Sequence, residues 1–430
     1  MVALLRQRNF GLLWFAGLIS LIGDWMLLIG LPIYVYTLTR STLATSTMFI
    51  VEMIPRIALG SVAGVFVDRW NRKRIMVVTN ILLALGLLPL LLFRSVDLLW
   101  VVYVVAFFEA VISQFFAPAE SALLPRLVDD EHLGTANSLS SLNQNMARLI
   151  GPPLGGIVAG LLGLTGVALL DAASFLIAGG MIALIAIEAR PIKSSTPLKA
   201  VEAVGTIEIT VNPWLKVWYE WLAGLRLIRQ ENPVFVVFML LAITSLGEGV
   251  FSVLFVVFVN RILHGGALQI GWLMGAQAVG GLIGGLLVGY VASRVSSSRL
   301  IGFGAIAFGF VDLVIFNYPA FFTGFIIAVI LFVIVGIPGV GMSTGITTLL
   351  QTAVADEYRG RIFGAIGTTS SLLMLLGTTL AGLTGDLLGV VTVLNIQGAV
   401  YVLAGVVVLL LLRTSAVKIT EPASREPVTT

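Results

Sequence analysis

Long apolar segments, separated by short polar ones, recur along the whole chain. Each is about 20 residues or longer, which is the length a helix needs to cross a hydrocarbon core of roughly 30 Å. The first run follows Arg6 and Arg8, as in a signal peptide, but it contains Asp24 and lacks a small-residue cleavage site, so we interpret it as a retained helix. The predicted spans are 10–37, 45–67, 75–94, 98–122, 136–162, 166–188, 233–260, 267–292, 300–318, 320–346, 362–387 and 389–413. The pattern predicts an all-α membrane protein with twelve transmembrane helices.

The longest polar stretch divides these spans into six and six. We therefore predict a six-helix bundle over 1–188, a cytoplasmic linker over 189–232, a second six-helix bundle over 233–413 and a cytoplasmic tail over 414–430. The second part of the linker is amphipathic and predicts a helix lying in the membrane interface. Its apolar positions are Trp214, Trp218, Leu222 and Leu225, and its basic positions are Lys216, Arg226 and Arg229. A surface helix is one interpretation, and regulation by bound lipids is the other.

The basic residues predict the orientation. Of 25 Lys and Arg residues, the predicted spans place Arg40, Arg94 and Arg261 in loops on one side and Arg56 and Arg148 inside helices. The remainder lie on the opposite side, which the positive-inside rule assigns to the cytoplasm. We expect a multi-pass protein of a bacterial-type plasma (inner) membrane, with both termini cytoplasmic.

The composition agrees with this picture and narrows the chemistry. The chain is 58% hydrophobic and 11% charged, and its net charge of +3 comes from scattered loop residues, so we expect no binding to nucleic acid. It has no cysteine and two histidines, which excludes thiolate chemistry and leaves little for a metal cluster. We predict no cofactor, no metal and no enzymatic activity, and we expect a monomer surrounded by membrane lipids.

The two halves resemble each other in sequence. Gly23-Asp24 falls on Gly247-Glu248 at a shift of 224 residues, and Gly151 falls on Gly377 at a shift of 226. Two parallel six-helix repeats are typical of secondary transporters, which alternate access around a site between the repeats. The repeat therefore favours transport.

A basic loop after the second span carries the most specific motif. The segment Gly64-Val-Phe-Val-Asp68-Arg69-Trp-Asn71-Arg72-Lys73-Arg74 resembles the signature of the major facilitator superfamily, with Asn71 where the general pattern has glycine. Further segments are similar to its macrolide-efflux and multidrug branch: Ser20-Leu-Ile-Gly-Asp24, Phe116-Ala-Pro118, Ala136-Asn-Ser138 and Arg359-Gly-Arg361. The resemblance implies the twelve-helix major facilitator fold, with two pseudo-symmetric bundles.

The same resemblance implies a cytoplasmic gate. Asp68 is expected near the start of the eleventh helix, whose free N–H groups favour an anion. The carboxylate would latch the cytoplasmic side when that side is closed. Gly64, Arg69, Arg72 and Lys73 complete this gate motif. The alternative is that the basic residues only fix the topology.

The fifth helix carries a segment that resembles the superfamily's antiporter motif. Its residues are Gly151, Pro152, Gly155 and Gly156, preceded by Ala147-Arg148. Gly151 and Gly155 lie one turn apart, so another backbone can approach closely. The fold implied by the resemblance pairs the fifth helix with the eighth and the second with the eleventh, and we expect Gly155 to face the eighth helix. Generic membrane packing is the alternative.

Ionisable side chains inside the spans predict a functional cavity, because each costs roughly 2.5 to 3.5 kcal/mol on insertion. They are Asp24, Glu52, Arg56, Glu109, Arg148 and Glu248. Glu52 and Arg56 are four residues apart, so we predict a structural or coupling ion pair. The other four are predicted to line the proton-coupling and substrate cavity, with Asp24 as the main proton carrier. Static hydrogen bonds between helices are the alternative. Asp171, Asp312 and Asp386 are expected near the outer ends, either solvated or snorkelling toward the water.

These observations predict a proton-coupled exporter of hydrophobic or amphipathic drugs. A transporter of the same fold with a lysophospholipid or a siderophore as its cargo is the nearest alternative. A membrane enzyme or a nontransporting sensor is further away, because neither a nucleophile and base set nor a sizeable soluble domain is visible.

Overall fold

The computed structural model describes residues 2–93, 95–186, 213–291 and 294–413, except for the side chains of 2, 60–66, 68, 69, 213–217, 220, 356 and 413. Nearly all of these residues are helical. A helical turn at Val2–Leu5 precedes twelve long helices, and a linker helix, Pro213–Gln230, separates the sixth from the seventh. The long helices are α1 (Arg8–Thr39), α2 (Thr42–Arg69), α3 (Arg72–Leu87), α4 (Leu99–Leu127), α5 and α6 (together Leu133–Ala183), α7 (Asn232–Arg261), α8 (Ala267–Val291), α9 (Ser297–Asn317), α10 (Phe325–Ala353), α11 (Asp356–Thr384) and α12 (Val390–Arg413).

One continuous helical segment, Leu133–Ala183, forms two spans. It is 51 residues long and contains one non-helical position, Gly163, with φ 64° and ψ −167°. Glycine adopts positive φ at little cost, so the chain can reverse here without a loop. We therefore divide the segment into α5 (133–162) and α6 (164–183). With this division, the eleven membrane-length helical segments of the described residues give the twelve predicted spans.

The surface is that of a protein immersed in lipid. Large apolar side chains point outward, and Leu161, Leu286 and Leu387 are between 75% and 82% exposed. Each half also has an apolar interior of its own. One cluster joins α1, α3, α4 and α6 around Leu31, and another joins α7, α9 and α12 with the linker helix around Ile301. The predicted multi-pass membrane protein is confirmed.

Two pairs of helices form most of the contact between the halves, namely α5 with α8 and α2 with α11. On α5, a Cβ at Gly156 would lie 2.7 Å from the Cα of Gly271 on α8. At the end of α11, a Cβ at the capping residue Gly385 would lie 3.3 Å from the Cγ2 of Thr42 on α2. The pairing implied by the family resemblance is therefore confirmed.

The expectation that Gly155 faces the eighth helix is wrong. A Cβ at Gly155 would lie 2.7 Å from the Cα of Met26, so this glycine packs against α1 inside its own half. Gly151 likewise packs against Trp25 of α1. The contact with α8 is made by the neighbouring Gly156, because successive residues of a helix point about 100° apart.

Polar side chains join the halves at the end of the bundle that holds Arg40. We call this the outer end, following the predicted orientation. Thr42 Oγ1 donates a 2.6 Å hydrogen bond to Asp386, and Arg261 forms a 2.8 Å salt bridge with the same carboxylate. Arg261 also donates to the Arg40 carbonyl at 3.0 Å, and the Arg40 side chain donates to Asn260. We call these five residues the outer polar contact. It closes the outer end.

The linker helix docks on the opposite, inner end of the second half. A Cβ at Gly224 would lie 2.6 Å from the Arg361 carbonyl of α11, and Trp221 Nε1 donates a 3.0 Å hydrogen bond to Thr369 Oγ1. Ile228 is fully buried, whereas Trp218 is 53% exposed. A helix is thus present where the sequence predicted one. The side chains of Trp214 and Lys216 lie outside the described residues.

Candidate functional site

Three acidic side chains from three helices meet inside the first half. Asp24 on α1, Glu109 on α4 and Asp171 on α6 each place a carboxylate oxygen within 4.8 Å of the other two. Two of them, Asp24 and Glu109, are among the predicted cavity residues. We call this group the carboxylate triad.

Gly23 explains how α6 comes so close to α1. A Cβ at this position would collide with Asp171 Oδ1 and with Ser174 Oγ, so only glycine leaves room for both side chains. Ser174 Oγ donates a 3.2 Å hydrogen bond to Asp171 Oδ1. The glycine before Asp24 thus creates the contact that brings the third carboxylate next to it.

Asp171 is the main correction to the sequence prediction. It was expected to be solvated or to snorkel near the outer end, but its side chain is fully buried. Asp312, of which the same was expected, is 4% exposed. One signal for Asp171 was available, because the 226-residue repeat shift places it on Gln397, so a polar residue occupies the same place in both halves.

Arg56 on α2 faces the triad. Its guanidinium interacts electrostatically with Asp24 and Glu109 as well as with Glu52, the residue predicted to be its partner. Arg56 therefore interacts with several acids and does not form an exclusive pair with Glu52. Its side chain is exposed, which places it beside open space and outside the close-packed core.

In the second half, Glu248 occupies the place that Asp24 has in the first. Glu248 is exposed, and Arg148 of α5 interacts with it electrostatically from across the domain boundary. Arg148 continues an exposed polar stripe on α5 formed by Ser138, Ser141 and Asn145. Such a stripe is expensive in lipid. We therefore infer that the stripe faces the space between the halves and not the lipid.

In both halves, a glycine just before the acid leaves room for a polar side chain from another helix. A Cβ at Gly247 would collide with the hydroxyl of Tyr401 on α12, just as a Cβ at Gly23 would collide with Asp171 on α6. Tyr401 Oη donates a 3.0 Å hydrogen bond to the Thr244 carbonyl. The first half thus places a carboxylate beside its repeat glycine, whereas the second half places a phenol there.

The antiporter-like motif lies where α1, α5 and α8 meet. Gly151 and Gly155 receive α1, Gly156 receives α8, and a Cβ at Gly271 of α8 would lie 3.2 Å from the carbonyl of Pro152. One turn of α5 therefore contacts a helix of each half. Because the same turn of α5 contacts both helices, a displacement of α8 along it would also displace α1, which carries Asp24.

The gate motif is only partly visible. The side chains of Gly64, Asp68 and Arg69 lie outside the described residues. Lys73 Nζ donates a 2.8 Å hydrogen bond to the Ile185 carbonyl, which ties α3 to the end of α6. Lys73 thus binds within its own half, and the gate function of the motif stays a prediction.

At the outer end, the pKa of the Asp386 carboxyl is shifted by its surroundings. Partial burial by itself raises the pKa of this carboxyl, but hydrogen bonds from Thr42 and Arg261 and the positive charge of Arg261 outweigh the burial. The pKa lies below its ordinary value of 3.8. Asp386 is therefore a carboxylate at neutral pH and holds both halves.

The fold and these contacts can be compared with known proteins. Residues 1–429 match the family described as transmembrane secretion effector. The chain belongs to this family of the major facilitator superfamily. A solved bacterial homologue of the iron transporter ferroportin has the same fold, with a TM-score of 0.69 and 17% identity, and the match covers 95% of this chain and 98% of that chain.

Two curated relatives span almost the whole chain. Macrolide efflux protein A of Streptococcus pyogenes is 25% identical over 387 residues, which cover 89% of this chain and 91% of the relative. Multidrug efflux pump Tap of Mycobacterium tuberculosis is 25% identical over 398 residues, which cover 90% of each. This chain is therefore a multi-pass membrane transporter of the major facilitator kind and not an enzyme.

Proposed function

We propose that this transporter exports hydrophobic or amphipathic small molecules in exchange for protons, by alternating access between its two halves. One observation carries the proposal. Acidic side chains lie among the helices of both halves: Asp24 and Glu109 of the first half meet near Arg56, and Glu248 of the second half interacts with Arg148.

The charge balance supports a proton as the coupling ion. Asp24 and Glu109 lie within a few ångströms of one another and share Arg56 with Glu52. Three acids facing one base in a low-dielectric setting cannot all be ionised without another cation. A carboxylate that binds a proton on one side and loses it on the other meets the requirement for antiport.

The cargo class is supported by the relatives and by the interior of the bundle. The two relatives are named for the efflux of macrolides and of multiple drugs. Trp25 lies next to Asp24 at the crossing of α1 and α5, and Phe251 follows Glu248 by three residues and stacks on Phe255 at 4.9 Å. Aromatic rings beside carboxylates suit amphipathic or cationic molecules.

Reconstituted transport tests the proposal. The purified protein is placed in liposomes with a fluorescent amphipathic cation, a macrolide and a neutral hydrophobic dye, with and without an imposed pH gradient. We expect a gradient to drive accumulation of at least one of them against its concentration difference, and a protonophore to abolish it. Transport that ignores the pH gradient for every substrate would contradict proton coupling.

A further inference from the structure

The function proposed above assigns no role to Asp171. This carboxyl lies at the crossing of α6 with α1, with its Oδ1 accepting a hydrogen bond from Ser174. Its Oδ2 is buried and has no hydrogen-bond partner among the described residues. A buried carboxylate oxygen normally has a donor, because leaving it unpaired costs its full desolvation. An ionised Asp171 would therefore need a further donor at Oδ2.

Its closest charged neighbours are also acids. Asp171 shares the triad with Asp24 and Glu109, whose nearest carboxylate oxygens lie within 4.8 Å of its own. From α2, Glu52 adds a further acid, and Arg56 is the base that faces Asp24, Glu52 and Glu109. Among the described residues, four acids therefore gather around one guanidinium, which interacts with three of them. The group therefore has room to bind further positive charge, which protons from the solvent can supply.

We propose that Asp171 is a third proton carrier of the transporter, which shares protons with Asp24 and Glu109. This inference rests on the proton-coupled function proposed above. The step is a simple one: a proton from the solvent adds to one carboxylate oxygen of the triad, and the resulting O–H donates to a neighbouring carboxylate. When access changes, the O–H bond breaks and the proton leaves to the solvent on the other side.

Protons fit this site better than a metal ion. The Arg56 guanidinium is close enough to interact with two of the three acids, so it repels a divalent cation while it leaves room for a proton. The repeat comparison points the same way, because Gln397 takes the place of Asp171 in the second half. An amide does not take up a proton at neutral pH, so at this position of the repeat only the first half can bind one.

The test compares Asp171→Asn with Glu120→Gln. Glu120 is a partly buried acid of α4, three turns from Glu109 and outside the triad. The infrared C=O stretch of protonated carboxyl groups is recorded for the purified protein over a range of pH, and transport driven by a pH gradient is recorded in liposomes. In Asp171→Asn we expect a smaller carboxyl band and a transport midpoint lower by on the order of one pH unit, because a neighbouring acid has been removed. Glu120→Gln should keep the wild-type midpoint.

Two further measurements separate the possible outcomes. Asp171→Glu retains the carboxyl and should keep the infrared band, which distinguishes the loss of a proton carrier from a packing defect. Thermal unfolding with and without MnCl₂ tests for a metal: stabilisation of the wild type but not of Asp171→Asn would replace the proposal with a metal site. A wild-type infrared band and a wild-type pH profile in Asp171→Asn would overturn it. If wild-type transport ignores the pH gradient while the Asp171 band is present, the proposed function fails but the shared protonation stands.

Discussion

At the scale of single residues, Asp386 shows how one carboxylate can hold two domains together. It accepts from Thr42 of the first half and from Arg261 of the second, and its pKa is below the ordinary 3.8. A lowered pKa means that the carboxylate form is favoured while the contact exists. The contribution to closure is fully present above about pH 4 and is lost as the pH falls through the lowered pKa.

Asp386→Asn should loosen the outer end at neutral pH. The contact is partly exposed, so we expect a modest effect of less than about 1 kcal/mol on the closed state. Because the chain has no cysteine, spin labels can be attached to one introduced cysteine on each side of the outer end, and their distance distribution measured. The distribution should broaden toward longer distances. Asp97→Asn, at another exposed acid of the outer side, should leave it unchanged, and equal distributions in both variants would remove Asp386 from the closure.

Asp24→Asn preserves the size of the side chain but removes the proton-binding group. We expect uphill efflux driven by a pH gradient to disappear, whereas downhill exchange of a neutral substrate persists, because rocking of the halves needs no proton when the charge is permanently absent. Cationic substrates should also bind more weakly. Glu109→Gln and Glu248→Gln are made in parallel. If Asp24→Asn keeps full pH-driven accumulation and one of the other two loses it, that other residue is the main carrier.

At the scale of helices, the sequence predicts how many helices there are and which of them pair better than it predicts which face of a helix meets which neighbour. Length and apolarity define twelve spans, and the repeat relates α1 to α7. The facing of α5 was not predictable, because small residues occupy both the row of Gly151 and Gly155 and the position of Gly156. The environment of Asp171 was missed for a related reason. Distance from the end of a span gives depth but does not say which helix crosses there.

Gly156→Leu should separate α5 from α8, because the Cβ position is already 2.7 Å from the Gly271 backbone. We expect a longer label-to-label distance across the outer end and loss of substrate exchange. Gly160→Ala is the matched control, since its Cβ would meet the Leu268 side chain at 3.4 Å, an ordinary contact. Wild-type exchange in Gly156→Leu would show that α5 and α8 need not touch here.

The linker helix contributes to stability through one hydrogen bond that can be removed cleanly. Trp221→Phe deletes the bond to Thr369 and should lower the free energy of unfolding by roughly 0.5–1.5 kcal/mol, seen as a lower Tm. Trp218→Phe, at the adjacent exposed ring, should have a smaller effect. Equal losses in both variants would mean that ring packing, and not the hydrogen bond, holds the linker helix.

At the scale of the whole molecule, the two halves are alike in fold and unlike in chemistry. Both place a glycine before an acid on their first helix and admit a polar side chain against it. The first half gathers Asp24, Glu109 and Asp171 there, whereas the second half has Glu248 beside Tyr401 and Gln397. Such a division suits a transporter in which the first half binds most of the protons and the second half moves against it.

The outer polar contact also makes the closure of the outer end sensitive to dissolved salt. Its charged members are partly exposed, with side-chain exposures of 38% for Arg261 and 42% for Asp386. Dissolved ions screen charges over a distance of about 8 Å at physiological ionic strength and about 3 Å at 1 M. A rise in the salt concentration at this end therefore weakens the bond between the halves without any change in substrate or proton supply. Added salt would thus favour opening of the outer end.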